Sequence, residues 1–228
     1  MRKLLLLILC SMLLWPRASA AEMPKFLALT FDDGPSGRFT RRLLEGLEER
    51  NARATFFLCG YRLEQYPELA EQILAGGHEI GLHGYSHRDL DNMSRRDIAE
   101  ELSGTQALLP GNCRPRFLRP PQGRCSQPVC QVAEATGLSL LHWSVDPRDW
   151  AGKDSAAVCR SIVRQVRDGD VILLHDMSES SVDAALNAVD LLQKEGFRFV
   201  TVSELARLHR HRVDPGKCYQ CFPPKEDP

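Results

Sequence analysis

Seven short apolar runs recur along the chain, near residues 26–31, 54–59, 79–83, 116–119, 138–145, 170–175 and 198–202. Amphipathic stretches of helical period separate them, such as Leu43-Leu44-x-x-Leu47 and Ile162-Val163-x-x-Val166. Glycines follow several of these stretches just before the next run (Gly76-Gly77, Gly137, Gly196), where a left-handed helix terminus favours glycine. Ser94 with Asp97, and Ser203 with Glu204, read as helix starts. Alternation repeated this often predicts a parallel sheet with crossover helices, and the pattern fits an open sheet and a barrel equally. In either, reactive side chains gather where strands end at their carboxyl side.

The strand ends are therefore the places to inspect. The first run, Phe26-Leu27-Ala28-Leu29-Thr30-Phe31, stops at Asp32-Asp33-Gly34-Pro35. The third ends in His83, with His87 four residues on; the fourth runs into Arg119-Pro120-Pro121-Gln122-Gly123. The fifth leads to Asp146, Asp149 and Trp150, and the sixth ends in His175-Asp176. Two adjacent carboxylates repel, so one pKa should rise unless positive charge lies beside them. Two histidines at i and i+4 would share one face of a helical turn, close enough to hold one metal ion. One aspartate with two histidines makes a three-ligand site with open positions, the form catalytic zinc takes. A divalent cation would keep one aspartate ionised as ligand and leave its neighbour free as a base.

The segments TFDDGP (30–35), His83 with His87, RPPQG (119–123), WSVDPRDW (143–150) and ILLHD (172–176) resemble, in order and spacing, the polysaccharide deacetylases, carbohydrate esterase family 4. The resemblance runs from about Lys25 to Leu205. It implies an α/β fold, an incomplete TIM-like barrel of about seven parallel strands, and metal-dependent removal of acetyl groups from sugars. By resemblance Asp33, His83 and His87 are metal ligands, Asp32 the catalytic base and His175 the general acid. Arg119 would steady the base, Asp149 would orient His175, and Trp150 and Leu173 would wall the acetyl pocket. The backbone N–H of Gln122 would be the oxyanion donor. Gly84 stands where the family usually has Ser or Thr, which puts the stiffness of the metal loop in question; Gln122 replaces a usual aromatic.

Arg2 and Lys3, an apolar run Leu4 to Trp15, and Ala18-Ser19-Ala20 form the three-part pattern of a secretory signal, expected over residues 1–20. The expected organisation is then a deacetylase domain over 21–207 and a polar, Cys-containing tail over 208–228, secreted or periplasmic. Without Arg2, Lys3 and Arg17 the basic residues number 26 against 30 acids, so no basic excess suggests nucleic acid. No later segment is long and apolar enough for a transmembrane anchor. Seven cysteines remain after Cys10; Cys59 is the expected free thiol, and disulfides are expected among Cys113, Cys125, Cys130, Cys159, Cys218 and Cys221, with Cys218-Cys221 read as a structural bridge. Asp176 reads as a turn cap, His78 and His142 as packed or surface histidines, and His209 and His211 as a solvated end.

The sequence thus points to an exported deacetylase using Zn2+, with Co2+ or Ni2+ as alternatives, on acetylated oligo- or polysaccharide such as N-acetylglucosamine-containing glycan. O-acetyl ester hydrolysis on acetylxylan, another amide such as a formyl or cyclic imide group, a glycan-binding protein with a decayed site, and a redox or metal-carrier role for Cys218 and Cys221 are the competing readings.

Overall fold

The computed structural model describes residues 24–225, so the expected signal segment lies outside the described residues. Strands β1 (Lys25–Gly34), β2 (Ala54–Leu58), β3 (Glu79–Leu82), β4 (Phe117–Leu118), β5 (Ser139–Leu141), β6 (Val171–His175) and β7 (Phe197–Phe199) fall on the seven apolar runs. An eighth, β8 (Cys218–Tyr219), was not visible in the sequence, because two half-exposed residues carry no period-2 signal. The sheet runs β6-β1-β2-β3-β4-β5-β8, with β7 also beside β1, and every strand pairing is parallel. Two isolated bridges return to the β6 side, Val145 to Ile172 in parallel and Cys221 to Asp170 antiparallel. The fold is the incomplete TIM-like barrel.

Helices α1 (Arg38–Glu49), α2 (Gly60–Gln65), α3 (Pro67–Ala75), α4 (Arg95–Ala107), α5 (Gln127–Ala135), α6 (Ser155–Gln165), α7 (Glu179–Lys194) and α8 (Val202–Leu208) fill the crossovers. The Ser94 side chain accepts from the Asp97 N–H at the start of α4, as its sequence position predicts. At α8 the capping box belongs to Thr201 with Glu204, two residues before the Ser203 start read from sequence. Gly77, Gly137 and Gly196 take positive φ, ending helices as expected. The buried stripe Val182, Ala185, Leu186, Val189 and Leu192 holds α7 against the sheet at helical spacing.

Strand alternation divides the core in two. Leu29, Phe31, Phe56, Leu58, Ile80, Leu82, Leu118, Leu140, Ile172 and Leu174 face the helices. Ala28, Phe57, Phe117, Leu141 and Val171 face inward, where Val202, Leu205 and Phe222 plug the bottom of the barrel. Gly81 is a glycine because a Cβ there would lie 2.5 Å from the Phe57 ring. The tail is held by packing: Phe222 is fully buried and its N–H donates to the Gly169 carbonyl at 2.8 Å.

Candidate active site

The inward parity that fills the barrel floor also fills its rim. Thr30 and Asp32 pair with Leu173 and His175 across β1 and β6, and all four stand on the inward face with His83 and Arg119 at the ends of β3 and β4. Two successive acids on a regular strand would point to opposite faces. The register of β1 slips between Phe31 and Gly34, and Asp33 adopts a left-handed φ of 68°. This bulge turns Asp33 into the same mouth as Asp32.

The positive charge demanded by adjacent carboxylates is Arg119, wholly buried in the barrel. One guanidinium nitrogen donates to Asp32 Oδ1 at 2.7 Å and Thr30 Oγ1 at 2.8 Å. Nε and the other nitrogen donate to the carbonyls of Leu141 (3.0 Å) and His142 (2.7 Å). The plane lies 4.2 Å from the Phe57 ring centroid and 5.6 Å from that of Trp143. Burial draws the Arg119 pKa down while Asp32 pulls it up, the balance of a desolvated but fully bonded ion pair.

Asp33 Oδ1 lies 3.0 Å from His87 Nε2 and 3.3 Å from His83 Nε2, and the two rings are 5.1 Å apart. His83 Nδ1 is 2.6 Å from the Arg119 carbonyl, which can only accept, so Nδ1 carries a proton and, in the neutral ring, Nε2 is the nitrogen left to ligate beside Asp33. The buried Asp33 Oδ1 has no aligned hydrogen-bond partner despite these contacts. Either a proton or a metal ion can lie between an imidazole nitrogen and a carboxylate oxygen, and the set of one oxygen and two nitrogens converging within bonding reach fits a divalent metal. Burial raises the Asp33 pKa, yet the two imidazoles hold it well below the usual carboxylate range.

The histidines do not share a helix. Gly84 and His87 have φ of 76° and 58°, so residues 83–88 form a loop and bring the rings together by reversing direction. Its stiffness comes from a residue that sequence reasoning missed. Glu101 on α4, 7% exposed, accepts from the N–H groups of Tyr85 (2.7 Å) and Ser86 (2.8 Å) and from Ser86 Oγ (2.6 Å). Thr105 Oγ1 donates to the Gly84 carbonyl at 2.9 Å. The carboxylate lies directly beneath the loop, and a Cβ at Gly84 would sit 3.3 Å from it.

Across the mouth, Asp149 Oδ1 meets His175 Nδ1 at 2.9 Å while Oδ2 accepts the His175 N–H at 2.8 Å. Burial disfavours the imidazolium, but Asp149, then Asp32 and Asp33, push His175 up to about 9. Asp33, Asp149, Trp150, Lys153 and His175 line an open cavity of about 500 Å³. Trp150 is 62% exposed at its edge, whereas Leu173 is buried one inward position below His175. Gln122 takes a left-handed φ of 62° in the turn after β4. A larger cavity of about 960 Å³ opens among Phe26, Arg50, Arg53 and Arg198, and none of these site residues lines it.

Asp176 fastens a turn, as read from sequence: fully buried, it accepts a short hydrogen bond from Thr40 Oγ1 and its carbonyl accepts one from Ser36 Oγ, with burial pushing its carboxyl up to about 6. Other expectations are corrected. His209 is buried and bonded to the Phe222 carbonyl at 2.5 Å rather than solvated. No disulfide joins any of the seven described cysteines. A Cys218–Cys221 bridge is disfavoured because residues three apart along an extended segment point to opposite sides; Cys218 faces Cys125 instead, at 3.8 Å. Cys59 is a buried free thiol, as expected, and burial raises its pKa. His78 is packed, its Nδ1 accepting from the Ala54 N–H at 3.1 Å.

Residues 20–141 match the polysaccharide deacetylase family. A peptidoglycan-N-acetylglucosamine deacetylase of Bacillus cereus is 37% identical over 189 residues, 80% of this chain and 89% of its own length. A chitooligosaccharide deacetylase of Sinorhizobium fredii is 36% identical over 198 residues, covering 86% and 89%. Longer relatives are matched over 43% and 40% of their length. A solved family 4 acetyl xylan esterase from Clostridium thermocellum, in complex with a cobalt ion, superposes with a TM-score of 0.81 at 31% identity, over 87% of this chain and 100% of that one. With the family model, the relatives and the barrel in agreement, this chain belongs to the polysaccharide deacetylase family and is an enzyme that deacetylates polysaccharide.

Proposed function

We propose that the protein removes N-acetyl groups from N-acetylglucosamine-containing glycans, such as chitin oligomers or bacterial wall polysaccharide, outside the cytoplasm. The observation that carries this reading is the Asp149–His175 pair. An amine leaves an amide only as it is protonated, so a positioned acid with a raised pKa serves an amide more than an ester.

Asp33, His83 and His87 hold the divalent metal. Their one-oxygen, two-nitrogen donor set suits zinc, with cobalt or nickel as competent substitutes. When bound, the ion supplies Lewis acidity at the acetyl carbonyl and favours hydroxide over water. Asp32, kept ionised by Arg119, accepts the proton of the attacking water. The Gln122 N–H donates to the developing oxyanion, an interaction worth about 3 kcal/mol. His175 then gives its proton to the leaving nitrogen. The exposed Trp150 ring offers a stacking face to sugar at the cavity edge.

The basic-apolar-small pattern of residues 1–20 supports export of a 21–207 domain with its 208–228 tail. The test compares kcat/KM on N-acetylglucosamine oligomers and on acetylated xylan, for wild type and His175→Ala. Higher wild-type values on the amide, with a larger loss there in the variant, are expected. Preference for the xylan ester, little changed by His175→Ala, would overturn the substrate assignment and leave the metal site standing.

A further inference from the structure

On the outer face of the sheet, away from the Asp33 site, three soft donors converge from segments far apart in sequence. Cys125 follows the Gln122 turn, His142 follows β5, and Cys218 lies in β8. Cys125 Sγ is 3.8 Å from Cys218 Sγ, and His142 Nε2 is 3.1 Å from the first and 3.7 Å from the second. Tetrahedral zinc with ordinary Zn–S and Zn–N bonds places two sulfurs about 3.8 Å apart and a sulfur about 3.6 Å from a nitrogen. The backbone sets this arrangement: Leu140 pairs with Cys218, and the His142 N–H donates to the Tyr219 carbonyl at 2.8 Å, so Cys218 and His142 share one sheet face.

We propose that Cys125, His142 and Cys218 form a second, structural site for a soft divalent metal such as Zn2+. The site joins β8 to the end of β5 and to the segment after Gln122. The strand β8 has two residues and few contacts of its own, so a metal cross-link gives the tail an anchor beyond Phe222. The ligand residue His142 also lends its carbonyl to Arg119 at 2.7 Å, so the cross-link braces the cradle of Asp32 from behind. The thiols bind as thiolates, releasing their protons to solvent, and no redox change is required.

The two metal sites are separable. The full chain carrying His83→Ala and His87→Ala is loaded with Co2+ under reducing, oxygen-free conditions and dialysed. Retention of one ion with thiolate-to-cobalt charge-transfer absorption is expected, and both should vanish when Cys125→Ser and Cys218→Ser are added. In the reverse experiment, Cys125→Ser with Cys218→Ser in an otherwise wild-type chain should lose one zinc of two and keep the other. If that pair fails to fold, Cys218→Ser alone, on the exposed two-residue strand, should weaken the second zinc by about tenfold or more. Absence of thiolate absorption in the cobalt-loaded histidine variant would overturn the site, and so would a Cys125–Cys218 disulfide in protein isolated without reductant.

Discussion

Asp149→Asn isolates the electrostatic part of the proposed acid. In the protein His175 stands at about 9, against about 6.5 for a free histidine. Burial works against this rise, so it comes from Asp149 and, at longer range, from Asp32 and Asp33. A divalent ion at Asp33 offsets the distant pair and leaves the contribution of Asp149. An opposite charge this close shifts a pKa by about 1–3 units. Asp149→Asn should therefore move the alkaline limb of kcat/KM downward by roughly one to two units. Rates should fall little at mildly acid pH and roughly ten- to hundredfold above the old limb, since each pH unit past a pKa removes about nine-tenths of the acid form. Linkage gives a second reading of the same pair. A folded-state pKa raised above the unfolded value contributes stability that is fully present below about 6.5 and lost as pH rises through about 9. The wild-type melting temperature should decline over that window relative to Asp149→Asn. The assays are a pH–rate profile on N-acetylglucosamine oligomers and thermal melts across the same range. Asn still offers one acceptor to the His175 N–H, so geometry is partly kept. A uniform loss at every pH, with the limb unmoved, would refute the electrostatic role and leave Asp149 as a backbone prop.

Three further outcomes are expected. Glu101→Ala leaves the half-buried N–H groups of Tyr85 and Ser86 without their acceptor, costing about 1 kcal/mol for each and about 10- to 100-fold in metal affinity, measured by denaturant melts and competitive chelation. Hydrogen bonds hold the Glu101 pKa low against the burial that raises it, so its contribution is present above the usual glutamate range and lost as pH falls through the lowered value; acid unfolding of the alanine variant should be correspondingly less steep. Gly81→Ala drives a methyl into the Phe57 ring beneath Arg119 and should destabilise by about 1–3 kcal/mol in denaturant melts.

The barrel was legible because its strands alternate: the same period-2 parity that separates Phe56 from Phe57 puts Asp32, His83, Arg119 and His175 on the inward rim. Asp33 reads as a ligand by resemblance, but its turn into the mouth beside Asp32 is not legible, because a one-residue slip and a positive φ leave no mark in an Asp-Asp-Gly-Pro string. The His83–His87 spacing fits a helix and a loop alike, and only the backbone at Gly84 and His87 decides. Glu101 escaped notice because a glutamate amid Glu100, Ser103 and Gly104 reads as a solvated helix face; its burial depends on a loop packed from outside its own helix. The cysteine–histidine cluster went unread for a related reason. Cys125, His142 and Cys218 meet through β5–β8 pairing, which a two-residue strand does not announce.

The proposed mechanism divides labour between two neighbouring acids, Asp33 to hold the metal and Asp32 to act as base. Acetate release from N-acetylglucosamine oligomers, measured beside metal content for wild type, chelated and re-metallated protein and Asp32→Asn, tests it most directly. Chelation should abolish release and re-metallation restore it, while Asp32→Asn keeps its metal and loses turnover by about a hundredfold or more. Undiminished acetate release from metal-free protein, or an Asp32→Asn variant that loses its metal while Asp33→Asn keeps it, would contradict the account.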